Sequence, residues 1–219
     1  MDIEMKKLLY ITVNSKPEDI SSSKTVARRL VNKILEVHPS IVLEELDLYK
    51  EHVPQLKSCY FSSRSCIVDQ EVCSKLTNEE QEEIGQIIKL CDQFKAADLY
   101  VLAAPMWSLS FPAPLLEYIH CIVLADKTIE FIENKPHGLL DDKKRTFIYV
   151  QSSGANIPWV IRPILNKGLN YVQEIMKFLG ISKFEELLVD GTGTTEIERQ
   201  EAIEKATAKI DALVEQIEL

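Results

Sequence analysis

Short apolar runs alternate with amphipathic stretches along the whole chain. Four runs of six or seven residues are rich in strand-forming residues: 7–13, 98–104, 145–151 and 184–189. Such short apolar runs predict strands that are buried on both faces. Residues 41–46 alternate between apolar and polar positions, which is typical of a strand at a sheet edge. Apolar residues at helical spacing predict helices between these strands, in the segments 24–38, 112–124, 159–179 and 196–217 and in one that begins at 77 and continues through 91.

Several helix ends carry their own signals. Thr77 and Glu80 form a predicted capping box, and Gly180 is placed to terminate a helix. Five alternations of strand and helix predict an α/β fold, with a five-stranded parallel sheet and helices on both faces. We expect one domain over residues 1–219. Residues of about 48–74 lack a clear period and are expected to be either a functional excursion or an unrecognised short helix.

Composition and charge narrow the function classes. The net charge of −9 argues against general nucleic-acid binding, and no apolar run approaches the roughly 20 residues that span a bilayer. The charged N-terminus is not typical of a secretory signal, so a cytoplasmic protein without membrane partners is expected. The five cysteines and four histidines show no metal-ligand spacing, which predicts free thiols and no metal site.

Three loops follow strands and are the candidates for chemistry, because ligands of such sheets bind beyond the carboxyl ends of the strands. Residues 14–23 end in serines at a helix start, and Lys24 adds charge, so this loop is either an anion site or a simple helix cap. Residues 105–112 are either a packed turn or a rigid ligand wall. Residues 151–158 contain small side chains that suit a close ligand or a tight turn. Residues 191–193 are expected only to link a strand to the last helix.

Residues Ala104 to His120 read A-P-M-W-S-L-S-F-P-A-P-L-L-E-Y-I-H. Together with the serine loop, the E-L-D-L-Y run that begins at Glu45 and K-F-L-G-I from Lys177, this segment resembles the FMN-dependent NADH azoreductase family, which is related to the NAD(P)H:quinone oxidoreductases. The resemblance implies a flavodoxin-like fold. It also implies a homodimer with its active sites at the interface, which the excursion could help to cover.

The resemblance further implies which residues bind FMN. Serines would surround the phosphate, and a backbone N–H, here that of Ser108, would approach flavin N5. The implied cofactor-binding residues are Ser15, Ser21, Ser22 and Ser23 at the phosphate, Pro105, Met106, Trp107, Ser108 and Leu109 at the ring edge, and Ser152, Ser153, Gly154 and Ala155 at its pyrimidine end.

The chain also departs from the family pattern. Ser108 replaces the usual Asn, Leu109 replaces Phe, and Ala155 stands where a second glycine is usual; Leu116 and His120 replace a Lys and an Asp. An alanine methyl at 155 would crowd the ring or resist a positive φ.

The implied activity is the transfer of two electrons from NADH or NADPH, through FMN, to quinones, azo compounds or nitroaromatics by a ping-pong mechanism. No acid–base side chain is needed, because the cofactor supplies the difficult chemistry. Trp107 and Phe111 would form an apolar wall for flat acceptors. Two alternatives stay open at this point: a flavodoxin-like electron carrier or flavin-binding sensor without turnover, and a protein of the same fold that binds no flavin.

Overall fold

The computed structural model describes residues 5–158 and 160–218. Its strands are β1 (Lys7–Thr12), β2 (Val42–Asp47), β3 (Phe61–Ser63), β4 (Cys66–Ile67), β5 (Leu99–Pro105), β6 (Ile129–Ile132), β7 (Lys135–Gly138), β8 (Thr146–Ser153) and β9 (Lys183–Asp190). Its helices are α1 (Ser22–Val37), α2 (Gln70–Cys73), α3 (Asn78–Ala96), α4 (Ala113–Ile122), α5 (Arg162–Leu165), α6 (Lys167–Leu179), α7 (Glu196–Thr207) and α8 (Ile210–Val214).

The main sheet contains five parallel strands in the order β2-β1-β5-β8-β9. Its central strand, β5, is buried along its whole length, as the apolar run predicts. One face of the sheet packs on α3, α4 and α6, and the other packs on α1, α7 and α8, so each face has its own apolar core. The predicted flavodoxin-like α/β architecture is confirmed.

The order of the strands determines where a ligand site can form. The chain adds β2 on one side of β1 and then places β5 on the other side, so the connections diverge between β1 and β5. In open parallel sheets this switch point leaves a crevice beyond the carboxyl ends of the strands. The loops that follow β1, β5 and β8 therefore meet at one edge.

Several local predictions are confirmed by the geometry of the helix ends. Thr77 and Glu80 form the complete capping box at the start of α3. Gly180 ends α6 with a left-handed φ of 107°. An added Cβ at Gly180 would lie 2.7 Å from the backbone nitrogen of Asp141, so both the conformation and the close packing require glycine.

The excursion is more ordered than its sequence predicts. It contains the short hairpin β3–β4 and the single helical turn α2, and the side chains of Tyr60 and Val68 enter the core beside α3. Backbone bonds such as Val68 N–H to Tyr60 O, 3.0 Å, satisfy its polar groups without long elements. The alternative of an unrecognised short helix is thus partly correct.

Two predicted helices are interrupted. The segment 159–179 forms α5 and α6, and its first residue, Trp159, lies outside the described residues. The two helices meet at Asn166, whose side chain accepts a hydrogen bond from the Leu169 N–H and caps α6. The segment 196–217 divides into α7 and α8 around residues 208–209. Its predicted apolar stripe is nonetheless buried.

The hairpin β6–β7 has no counterpart among the predicted elements. Its turn residues Glu133 and Asn134 both adopt left-handed φ values, 50° and 63°. Hairpin turns with two positive φ values favour Asn, so Asn134 is the one local sequence signal for this hairpin. No helix within residues 5–158 and 160–218 is long and apolar enough to cross a membrane.

Candidate functional site

A groove of ≈ 340 Å³ lies beyond the carboxyl ends of β1, β5, β8 and β9. Seven of the residues assigned to the cofactor by the resemblance line it: Ser21, Ser22, Pro105, Met106, Trp107, Ser152 and Gly154. The structure therefore brings together members of all three candidate loops.

The serine loop forms the start of α1. The Ser21 side chain caps the helix by accepting from the Lys24 N–H at 3.4 Å, and the Asn14 amide donates to the same Oγ at 2.9 Å. The N–H groups of Ser22 and Ser23 occupy the first two helical positions, where the helix supplies no carbonyl partner. Capping therefore does not exclude anion binding in this loop, because the cap uses the Ser21 side chain and leaves the Ser22 and Ser23 amides unpaired.

The remaining serines of this loop lie less directly on the groove. Ser23 is fully buried, with its Oγ 3.4 Å from that of Ser21. Ser15 is exposed and lines a neighbouring cavity on the side of β2.

The expectation that Lys24 charges the anion site is wrong. The Lys24 ammonium lies 3.3 Å from Asp47 Oδ2 and lines the neighbouring cavity. Because α1 begins at Ser22 rather than at Lys24, the lysine side chain emerges on the face of the helix that packs beside the end of β2.

The loop after β5 is a two-residue turn. Trp107 and Ser110 exchange both backbone hydrogen bonds, at 3.1 and 2.8 Å, and Ser108 and Leu109 between them have φ values of 50° and 64°. Two consecutive positive φ values define a type I′ turn. Among the described residues, the N–H groups of Ser108 and Leu109 have no acceptor, while their side chains are exposed at the tip of the turn.

This turn is attached on both sides. The Met106 N–H donates to Ser152 O at 2.7 Å, which ties the turn to the end of β8. On the other side the Gly168 N–H donates to Leu109 O at 3.2 Å. An added Cβ at Gly168 would lie 2.8 Å from backbone atoms of Ser110, so the close approach of α6 requires glycine.

Phe111 does not form the expected wall for an acceptor. Its ring packs against Tyr171 of α6, with the centroids 5.9 Å apart, and against the core. Trp107, by contrast, is 44% exposed and lines the groove.

The loop after β8 is paired with the loop after β9. Three N–H groups of the second loop donate to carbonyls of the first: Gly191 to Ala155, 3.3 Å, Thr192 to Ser153, 3.0 Å, and Gly193 to Gly154, 3.1 Å. Residues 192–195 line the groove, so the expectation that this segment is only a link is wrong.

Ser153 and Ala155 stabilise this loop without lining the groove. The buried Ser153 hydroxyl donates to Ala155 O at 3.1 Å. Ala155 is exposed and is absent from the non-glycine residues with positive φ. The alanine therefore imposes no backbone strain.

Sequence reasoning missed a charged pair in the groove. Arg199 of α7 donates to Glu196 from Nε at 2.8 Å and from Nη2 at 2.6 Å. This bonding raises the pKa of Arg199 and lowers the pKa of Glu196, so both remain ionised. Nothing within the helical pattern of 196–217 distinguishes these residues, because their position depends on where β9 ends.

The donor set is suited to a phosphate-bearing flavin. Unpaired amides and hydroxyls at a helix start bind phosphate oxygens. The type I′ turn leaves two amides unpaired directly after Trp107, and Met106 and Trp107 offer an apolar surface to a flat ring. The residues present thus fit FMN.

The family model for the flavodoxin-like fold matches residues 6–214. The chain belongs to this flavodoxin-like family. A 73% identical relative, the FMN-dependent NADH:quinone oxidoreductase of Ruminiclostridium cellulolyticum, aligns over 97% of this chain and its own full length. A protein of the same name from Clostridium botulinum Eklund 17B is 58% identical over 97% of this chain and 100% of its own length. These relatives confirm the family resemblance.

Solved structures show the same fold. The azoreductase from Bacillus anthracis str. Sterne superposes with a TM-score of 0.79 at 24% identity, over 97% of this chain and 100% of its own. A FMN-dependent NADH-azoreductase from Bacillus anthracis str. Ames Ancestor, solved in complex with FMN, gives a TM-score of 0.78 at 24% identity, over 96% and 100% of the two chains.

The variant Gly168→Ala tests the attachment of the turn. We expect it to lower the free energy of unfolding by ~1–3 kcal/mol, because the new methyl overlaps the Ser110 backbone. We also expect weaker FMN binding, since the turn must shift. Urea unfolding and flavin-fluorescence titration measure the two effects.

Gly85→Ala is the matched control, because a Cβ there meets nothing within 4 Å in the helix α3. It should leave FMN affinity unchanged and stability equal or higher. Equal behaviour of the two variants would contradict the proposed attachment.

Proposed function

We propose that this protein is an FMN-dependent NADH:quinone oxidoreductase. The observation that carries the proposal is the groove itself, which combines the unpaired amides at the start of α1 with the exposed ring of Trp107. The unpaired amides of Ser108 and Leu109 follow Trp107 directly in the turn. The 73% identical relative bears this name over its full length. An electron carrier without turnover has no observation in its favour.

In this proposal the phosphate of FMN lies at the start of α1. Ser21 and Ser22 line the groove there, and the N–H groups of Ser22 and Ser23 donate to the phosphate. The buried Ser23 hydroxyl supports the loop through Ser21, whereas Ser15 lies on the side of the neighbouring cavity.

The ring edge lies along the turn between β5 and α4. The N–H groups of Ser108 and Leu109 donate to it, Pro105 and Met106 fix the start of the turn, and Ser152 and Gly154 border the opposite end. Ser153 and Ala155 hold the loop after β8 against residues 191–193. Because backbone groups make the contacts, Ser and Leu at positions 108 and 109 are acceptable in place of Asn and Phe.

Bound FMN supplies the two-electron chemistry, taking hydride from NADH and reducing a quinone. The chain's part is to bind and orient: Trp107 offers a flat apolar surface to the donor and the acceptor in turn. If both use one groove, the donor must leave before the acceptor binds, which gives ping-pong kinetics. Azo compounds and nitroaromatics are acceptors of the same flat shape, and the proposal includes NADPH as the alternative donor.

We also propose a homodimer, as in the family that the chain resembles. An apolar surface consisting of Trp107, Leu109, Val160, Ile161 and Ile164 is 41–68% exposed next to the groove. Part of this surface belongs to the turn after β5, and the rest belongs to α5 and the residues just before it. The hydrogen bond from the Gly168 N–H to Leu109 O connects the two parts, because Gly168 lies in α6, which directly follows α5. Several large apolar side chains that are exposed near one another are typical of an interface.

A cytoplasmic location completes the proposal. The five cysteines are all free, as expected of thiols in a reducing compartment. NADH, the proposed donor, is a cytoplasmic reductant.

The activity is tested directly with purified protein, FMN, NADH and menadione. We expect FMN to bind, NADH to be oxidised only when menadione is present, and parallel lines in double-reciprocal plots. The groove presents a single site, so the two substrates should inhibit each other competitively. Bound FMN without menadione-dependent NADH oxidation would contradict the proposal.

The dimer is tested with Ile164→Glu, which places a charge on the apolar surface. We expect light scattering to report a dimer for the parent protein and a monomer for this variant, because burying an unpaired carboxylate is costly. Val37→Glu is the control, since Val37 is 49% exposed at the opposite end of α1 from the groove. A monomeric parent protein would overturn the dimer.

A further inference from the structure

A bound phosphate needs positive charge, which the start of α1 does not supply to the groove. A phosphate monoester carries about −1.5 to −2 at pH 7, and the start of α1 offers it only hydroxyls and amides. Lys24, the one basic residue of that first turn, is held by Asp47 in the neighbouring cavity. The whole chain has a net charge of −9, so general attraction does not supply the missing charge.

Arg199 of α7, the helix that packs beside α1, brings a guanidinium to the same groove. It lies in the first turn of α7, whose start is fixed by a capping box between Thr195 and Glu198. The negative charge of Asp19 contributes to the raised pKa of Arg199. Asp19 lies two residues before Ser21 in the same loop, and Ser21, Ser22 and Arg199 all line the groove.

The bonding of Arg199 leaves one nitrogen without a partner. Glu196 accepts from Nε and Nη2, which occupies one edge of the guanidinium. Nη1 is buried and has no acceptor among the described residues. A buried unpaired donor is unfavourable, and a small rotation of the side chain toward a phosphate oxygen would satisfy it.

The other cation of the groove is a weaker candidate. Lys16 lines it but is exposed, and its ammonium forms no ion pair in the part of the chain described here. An exposed flexible ammonium is well hydrated and gains less from a phosphate than a fixed guanidinium does.

We propose that Arg199 is the charged ligand of the cofactor's phosphate and that it makes the groove select FMN over riboflavin. This inference rests on the proposed function, since it needs a flavin in the groove. The 107–110 turn and the loop after β8 would bind the ring of either flavin, whereas Arg199 acts only on the phosphate.

The test is Arg199→Gln, which keeps a polar side chain of similar length and removes the charge. Dissociation constants for FMN and riboflavin are measured with flavin-free protein by fluorescence quenching at several salt concentrations. We expect FMN binding to weaken about 10- to 100-fold and its salt dependence to decrease. Riboflavin binding should change by less than about 3-fold, which also shows that the groove remains folded.

Two further variants make the result specific. Arg29→Gln removes a guanidinium that pairs with Glu204 at the far end of α7, and it should leave both affinities unchanged. Glu196→Gln removes the competing carboxylate and should tighten FMN binding without affecting riboflavin. A purely structural role of the Arg199–Glu196 pair predicts weaker binding in that variant as well.

The outcomes separate this inference from the proposed function. Equal losses for FMN and riboflavin in Arg199→Gln, or no loss for either, would overturn the role of Arg199 while leaving a flavin enzyme. Failure of the parent protein to bind FMN at all would overturn the proposed function and this inference with it.

Discussion

All five strands of the main sheet end at one edge, and that constraint determines the site. Strands that run parallel direct every following loop to the same side, so the loops after β1, β5 and β8 meet although they lie up to about 140 residues apart in the sequence. Helix starts and tight turns leave amides unpaired. The fold therefore concentrates backbone donors in one groove without requiring a cluster of charged side chains.

A groove built from backbone donors tolerates changes in side chains. Ser108 and Leu109 differ from the family pattern, but their side chains lie at the exposed tip of the type I′ turn. Asn favours left-handed φ more than Ser or Leu does, so the turn here depends more on its attachments to Ser152 and Gly168. With Ser108 and Leu109 in place of Asn and Phe, the conformation of the turn therefore depends mainly on its hydrogen bonds to neighbouring segments.

Local signals predicted the fold well, because burial and helix capping act over a few residues. The buried run of β5 and the capping box of Thr77 and Glu80 are examples. The break at Asn166 was missed, since a capping side chain inside an amphipathic segment competes with the helical pattern only slightly.

The candidate site was predictable only in part. The serine loop and the Met106–Trp107 segment follow apolar strands and could be recognised. The orientation of Lys24 depends on the residue at which α1 begins, and the position of Arg199 depends on the register of β9. Both are properties of the assembled sheet, which no local pattern encodes.

Amide hydrogen exchange measured by NMR, with and without FMN, tests the central claim most directly. We predict that FMN slows exchange by more than about tenfold at the N–H groups of Ser22, Ser23, Ser108 and Leu109. Glu133 and Asn134 form a similar left-handed turn elsewhere and should not change. Bound FMN that leaves these four amides exchanging at unaltered rates would contradict the account.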